Sequence, residues 1–202
     1  YRGLSGADRY FLYLVAAGTG FRASALPNLT PADFDLDGRP EIFVANDGSP
    51  NHLWRWQADG TFEECAGRLG CAVDNMGAPK AGMGVATADL DADGDEDLLV
   101  VNLFGESDSY FRNERGRFSE RASAAGLALR SRERTRFGVG LFDFDHDGLL
   151  DCFQANGRVS HTVGVVGPDP FAEDNVVLRG VASGRFERIE PPGDFDRPLP
   201  AT

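Results

Sequence analysis

Residues 89–97 read Asp-Leu-Asp-Ala-Asp-Gly-Asp-Glu-Asp, six acids in nine positions with glycine sixth. The template occurs three times. Asp33, Asp35, Asp37, Gly38 and Glu41 fill it before this stretch, and Asp143, Asp145, Asp147, Gly148 and Asp151 fill it after, with first positions 56 and 54 residues apart. An acidic loop at so regular a period marks a repeat protein, with one loop per repeat.

The donors are all oxygen. Side chains at positions 1, 3, 5 and 9 and the carbonyl at position 7 can converge on one point, and glycine at position 6 permits the turn. Hard oxygen donors on a flexible loop favour Ca²⁺ over zinc or copper, and there are more protein ligands than Mg²⁺ usually takes. The predicted ligands are Asp33, Asp35, Asp37, the Arg39 carbonyl and Glu41; Asp89, Asp91, Asp93, the Asp95 carbonyl and Asp97; and Asp143, Asp145, Asp147, the Leu149 carbonyl and Asp151. Leu149 supports a backbone role at position 7, because its side chain cannot coordinate. An EF-hand requires a bidentate acid at the twelfth position, which here holds Val44, Val100 and Gln154. One such loop alone would read equally well as a solvated acidic turn, but three in register argue against that. His146, between ligand positions, is expected to face solvent.

The chain of 202 residues carries a formal charge of -12, which disfavours nucleic acid and anionic membranes as partners. Of its 32 acids, 12 sit at side-chain ligand positions, so three divalent ions would halve the net charge. No apolar run is long enough to span a membrane, and the first residues lack signal-peptide architecture. Cys65 and Cys71 are close enough in sequence to close a small loop, yet proximity does not decide whether they pair. Cys152, in an apolar strand, is expected to be a buried free thiol.

A hairpin is expected over residues 1–24, and a full unit from residue 25 to 80. In that unit a short strand enters the loop, Ile42–Ala45 follows it, and a hairpin pairs His52–Trp56 with Thr61–Glu64. Units over 81–136 and 137–190 repeat the order, and 191–202 reads as a tail or a truncated next unit. Glycines at 84 and 140 suggest close backbone approach beside the first strand of each unit. The predicted class is all-β, with four-stranded antiparallel propeller blades, and at about 55 residues per blade the chain holds about three and a half of them. Either a further segment or a second chain completes the ring.

These residues resemble the FG-GAP (VCBS) repeats of integrin α-like β-propellers over most of residues 10–190. The likeness rests on the three acidic loops, Phe137-Gly138 before the third, and the apolar strand after each. Ala81–Val85, Val101–Glu106 and Gln154–Gly157 are similar to the cartilage-acidic-protein type, often found with UnbV/ASPIC domains, although no UnbV/ASPIC segment is visible here. The first unit departs from the pattern in having Pro27 and Pro31 where glycine pairs stand elsewhere, and Glu41 at position 9. The resemblance implies a propeller stabilised by up to three structural Ca²⁺ ions, commonly secreted or extracytoplasmic, used for adhesion or binding.

In such propellers the metal loops lie on one face, so a protein, glycan or small-molecule ligand is expected on the other. The candidate segments there are Asp47–Asn51, Leu103–Asp108, Arg130–Arg136 and the insertion Gly157–Asp174, with the insertion favoured because long loops in repeats often carry function. His161 in the insertion is more simply an exposed side chain than a binding group. The arginines of 130–136 read more simply as a solvated loop than as an anion site. Trp54 and Trp56 share one side of their strand, where packing between blades is favoured over a sugar platform. The leading reading is a non-catalytic binding or scaffold module. The alternatives are a propeller enzyme or biosynthetic tailoring protein, which would need an acid/base set outside the loops, and a lectin.

Overall fold

A computed structural model describes residues 29–35, 37–128, 130–159 and 170–189. The expected leading hairpin, the tail and most of the 157–174 insertion lie outside these residues. Among the described residues twelve strands form three sheets. Strands β1 (Leu29–Ala32), β2 (Glu41–Val44), β3 (His52–Trp56) and β4 (Phe62–Glu64) make the first. The second holds β5 (Gly82–Ala88), β6 (Asp97–Asn102), β7 (Ser109–Asn113) and β8 (Phe118–Glu120). The third holds β9 (Arg136–Phe142), β10 (Asp151–Asn156), β11 (Val176–Val181) and β12 (Arg185–Ile189). Each sheet pairs its strands antiparallel in chain order, which makes it a propeller blade, and the chain is an all-β partial propeller. A short helix α1 (Ala66–Leu69) and a 3-10 turn (Arg130–Glu133) fall in the connections between blades.

Alternation along the strands explains the stacking, because successive side chains face opposite neighbours. Phe43 and Leu53 of the first blade pack with Leu98, Val100 and Phe111 of the second. Leu99 and Tyr110, on the other face of the second blade, pack with Cys152, Leu178 and Phe186 of the third. Burying each large side chain contributes roughly 1.5–3 kcal/mol. The middle strand β6 is buried along its whole length, as expected for a strand with a blade on either side.

Inner strands β5 and β9 adjoin across the second and third blades. The approach is close at Gly84, where an added Cβ would lie 2.5 Å from the Phe137 carbonyl oxygen. Gly140 differs from expectation: a Cβ there would meet only the Phe142 ring, 3.8 Å away. The close contact belongs to the interface between the two blades, and Gly140 is not part of it.

Cys65, Cys71 and Cys152 are buried free thiols. Cys65 Sγ donates to the Leu53 carbonyl at 3.2 Å. Trp54 packs with Ile42 and Val44, while Trp56 meets the Phe62 ring edge-on at 5.0 Å. No helix among the described residues is long and apolar enough to cross a membrane.

Candidate metal centres

Each acidic loop joins the first two strands of its blade, and the same hydrogen bonds recur in all three. The position 1 carboxylate accepts from the glycine N–H at position 6: Asp33 from Gly38 at 2.8 Å, Asp89 from Gly94 at 2.9 Å, Asp143 from Gly148 at 3.0 Å. These glycines have φ of 80°, 95° and 87°, a left-handed turn that most side chains resist. Position 5 accepts from the N–H at position 7, in Asp37, Asp93 and Asp147. Position 9 reaches back to the N–H at position 2, from Glu41 to Phe34, Asp97 to Leu90 and Asp151 to Phe144. The loop is thus folded by its own carboxylates accepting its own N–H groups.

The carboxylates also converge. Ligand atoms of Asp33, Asp35 and Asp37 lie within 4.8 Å of one another, as do those of Asp89, Asp91 and Asp97, and those of Asp143, Asp145 and Asp151. Asp93, Asp147 and Glu41 stand outside these groupings. In every loop one buried oxygen has no hydrogen-bond partner: Asp33 Oδ1, Asp91 Oδ1 and Asp145 Oδ1. A buried acceptor left unpaired is costly, and a cation at the centre of the cluster would satisfy it. The residues therefore fit a hard divalent ion, which would take these oxygens as ligands. His146 is exposed, as expected, and lies in the left-handed region at φ 61°.

Position 9 is the electrostatic pressure point. Glu41, Asp97 and Asp151 are 2%, 0% and 0% exposed. Burial pushes Glu41 from its ordinary 4.5 up to about 7, against the Phe34 N–H and with help from Asp37 and Asp33. Burial likewise lifts Asp97 from 3.8 to about 6, opposed by the Asn113 N–H, the Tyr110 hydroxyl and the Leu90 N–H. A neutralising cation relieves this penalty.

Two of the loops are roofed by the following blade. The β7–β8 turn lies on the first loop, so that a Cβ at Gly116 would stand 2.8 Å from Asp35 Cβ. The β11–β12 turn lies on the second, where a Cβ at Gly184 would stand 3.3 Å from Asp91 Cβ. Asp95, predicted for its carbonyl alone, also accepts the Arg115 N–H through its side chain at 2.9 Å.

Three arginines outside the predicted ligand set reach the loops. Arg55 pairs with Asp35, Arg112 with Asp91 and Asp93, and Arg179 with Asp145. Arginine after an apolar residue on the third strand was visible in the first two repeats, but the 157–174 insertion shifts the third out of step.

At the opposite end of the strands, segments expected to form a ligand face do meet. The Gly105 N–H donates to the Arg132 carbonyl at 2.9 Å, the Asp108 N–H to Ser131 Oγ at 2.8 Å, and the Thr135 N–H to Glu173 Oε2 at 3.0 Å. Beneath them Arg136 and Asp108, 1% and 0% exposed, pair at 2.5 Å, with Gln154 Nε2 donating to Asp108 at 2.8 Å. The Asp47–Asn51 turn is tied to the segment that leads into β5, with the Gly48 N–H donating to the Lys80 carbonyl at 3.1 Å.

Comparison with known proteins agrees with this architecture. The chain is 32% identical over 145 residues to cartilage acidic protein 1 of Xenopus tropicalis, covering 66% of this chain and 21% of that protein. It is 34% identical over 119 residues to cartilage acidic protein 1 of Homo sapiens, covering 57% of this chain and 17% of that protein. It thus spans about a fifth of the relatives it matches. The FG-GAP-like repeat matches residues 33–100 and 89–153, two overlapping stretches that each begin at the first aspartate of an acidic loop and together span more than half of the chain. The chain belongs to the FG-GAP-like repeat family.

Proposed function

We propose that this chain is part of a calcium-stabilised propeller that serves as a binding, adhesion or scaffold module, without catalysis of its own. The observation that carries the reading is the unpartnered buried oxygen inside a carboxylate cluster, present in each of the three loops. Three independent turns, each folded by its own acids and each leaving an acceptor for a cation, suit ions that hold the fold. Binding free energy at such sites is folding free energy.

A structural role also suits the placement. The loops and the turns that roof them share one end of the blades, away from the joined segments Leu103–Asp108, Arg130–Arg136 and Glu173. A protein, glycan or small-molecule ligand would approach that opposite end. The described histidines, His52 and His146, stand in different blades, one in a ring contact with Trp54 and the other on a metal loop. That arrangement gives no support to an acid/base pair. Relatives named for cartilage and for acidity favour a secreted or extracytoplasmic setting, where millimolar calcium would fill the sites. A further segment or a second chain would complete the ring.

Thermal unfolding with chelator and with added Ca²⁺ tests the reading. The melting temperature should fall in chelator and recover with Ca²⁺, and an identical melt in both would overturn it. A saturated site at a hundredfold excess over its Kd contributes about 2.7 kcal/mol.

A further inference from the structure

Arg55, Arg112 and Arg179 occupy one position of the repeat. The β2–β3, β6–β7 and β10–β11 registers pair Ile42 with Trp54, Leu98 with Phe111, and Cys152 with Leu178. One step further along, each arginine falls opposite the position 9 acid, Glu41, Asp97 or Asp151. Each then pairs with the aspartate at position 3, and always with its Oδ2: Asp35, Asp91 and Asp145. Arg112 is the most fully engaged, with Nε 2.5 Å from Asp91 Oδ2 and Nη2 3.0 Å from Asp93 Oδ2.

The two oxygens of the position 3 carboxylate are thereby given different tasks. In Asp91 and Asp145, Oδ2 rests on the arginine while Oδ1 is buried without a partner, in residues that belong to the carboxylate clusters. The Asp91 side chain is only 8% exposed, so water does not readily replace the missing partner. In the first blade, Asp35 Oδ1 also accepts the Asp37 N–H at 3.1 Å, and the division is less clean.

Resting on the calcium reading above, we propose that Arg112 and Arg179 are positioning residues for the ion. Each fixes the rotamer of its aspartate so that Oδ1 faces the metal, and offsets part of the negative charge that a divalent ion leaves uncompensated among four carboxylates. Hydrogen-bonded partners of metal ligands commonly change affinity about 10–100-fold when removed. Loss of the arginine also removes a positive charge near the cation, which by itself would tighten binding. The sign of the measured effect therefore separates positioning from simple charge.

The test is calcium titration calorimetry of the full chain and of Arg112→Leu, Arg112→Lys and Arg179→Leu, with Tb³⁺ luminescence lifetimes in H₂O and D₂O to count waters on the bound ion. Circular dichroism confirms that each variant is folded. One site in each leucine variant should weaken about tenfold and gain an inner-sphere water, and Arg112→Lys should recover most of the affinity. The arginine in the third blade is the more exposed, at 45% against 34%, so Arg179→Leu remains informative if Arg112→Leu fails to fold. Equal or tighter binding by the leucine variants, with an unchanged water count, overturns this inference and leaves the calcium reading intact. Absence of calcium binding by the unaltered chain overturns both.

Discussion

The side-chain amide of Asn113 donates to the Phe34 carbonyl of the first acidic loop at 2.8 Å, and so joins that loop to the next blade. The same Nδ2 donates to the Glu96 carbonyl in the second loop at 2.9 Å, and Oδ1 accepts the Gly116 N–H at 2.7 Å. The Asn113 N–H goes to Asp97 Oδ1 at 2.7 Å. One wholly buried asparagine therefore ties two loops and a roofing turn together.

Asn113→Ala should destabilise the chain by more than a typical surface change, because it strands buried carbonyls that each cost about 1–3 kcal/mol when unpaired. Calcium binding should weaken in the first and second loops and not in the third. Urea unfolding together with calcium titration checks both effects. A loss confined to one loop would mean that Asn113 does not couple them.

Stability should depend on pH in a direction set by the buried acids. Glu41 and Asp97 have raised pKa values, so the fold favours their protonated forms. That contribution is whole below their ordinary 4.5 and 3.8 and is lost as the pH rises through about 7 and about 6. The calcium-induced gain in Tm should consequently be larger near pH 8 than near pH 5, since the ion competes with the proton for the same oxygens. Melts with chelator and with Ca²⁺ at both pH values measure it. An equal gain would show that these carboxylates do not face the ion.

Asp108→Ala leaves the Arg136 guanidinium buried without its counter-charge and frees Gln154 from its acceptor. Burial pushes Asp108 up and Arg136 down, and in each the partner's charge is the main opposing influence. The cost should be about 3–5 kcal/mol by denaturant unfolding, with calcium affinity unchanged. A cost below ~1 kcal/mol would mean that water reaches the pair.

Native thiols should resist modification. Burial pushes Cys65 up to about 11 and raises Cys71 and Cys152 as well, so little thiolate exists at neutral pH. Disulfide-exchange reagents should label all three only in denaturant. Rapid labelling of any one in the folded chain would contradict the packing.

Much of this was legible in the sequence because the acidic loop acts as a ruler. Asp33, Asp89 and Asp143 mark where each first strand ends, and the apolar runs after Glu41, Asp97 and Asp151 mark the second strands, which set the four-strand order. The convergence of Asp89 with Asp91 and Asp97 follows from the same spacing. What did not show was anything carried between repeats. The Asn113 bridge, the turns at Gly116 and Gly184 that cover a preceding loop, and the Arg136–Asp108 pair all join residues distant in sequence, and no local period marks them. Arg179 was hidden for a simpler reason, since the insertion before β11 breaks the count. Gly140 shows the opposite error, in which a shared residue type suggested a shared contact that only Gly84 makes.

The loops should also outweigh the insertion in stability. Asp91→Ala removes a carboxylate from a cluster and a partner from Arg112, whereas within 157–174 the buried Glu173 meets the Thr135 N–H and Arg158. Comparative melts in Ca²⁺ rank the two. A larger loss from the insertion would make that segment part of the core.

Counting the bound ions by native mass spectrometry of the full chain, alone and as Asp91→Ala, tests the central claim most directly. Three calcium ions on the unaltered chain and two on the variant are the expected result, from the three carboxylate clusters. A chain that carries none, or a variant that keeps every ion, would contradict it.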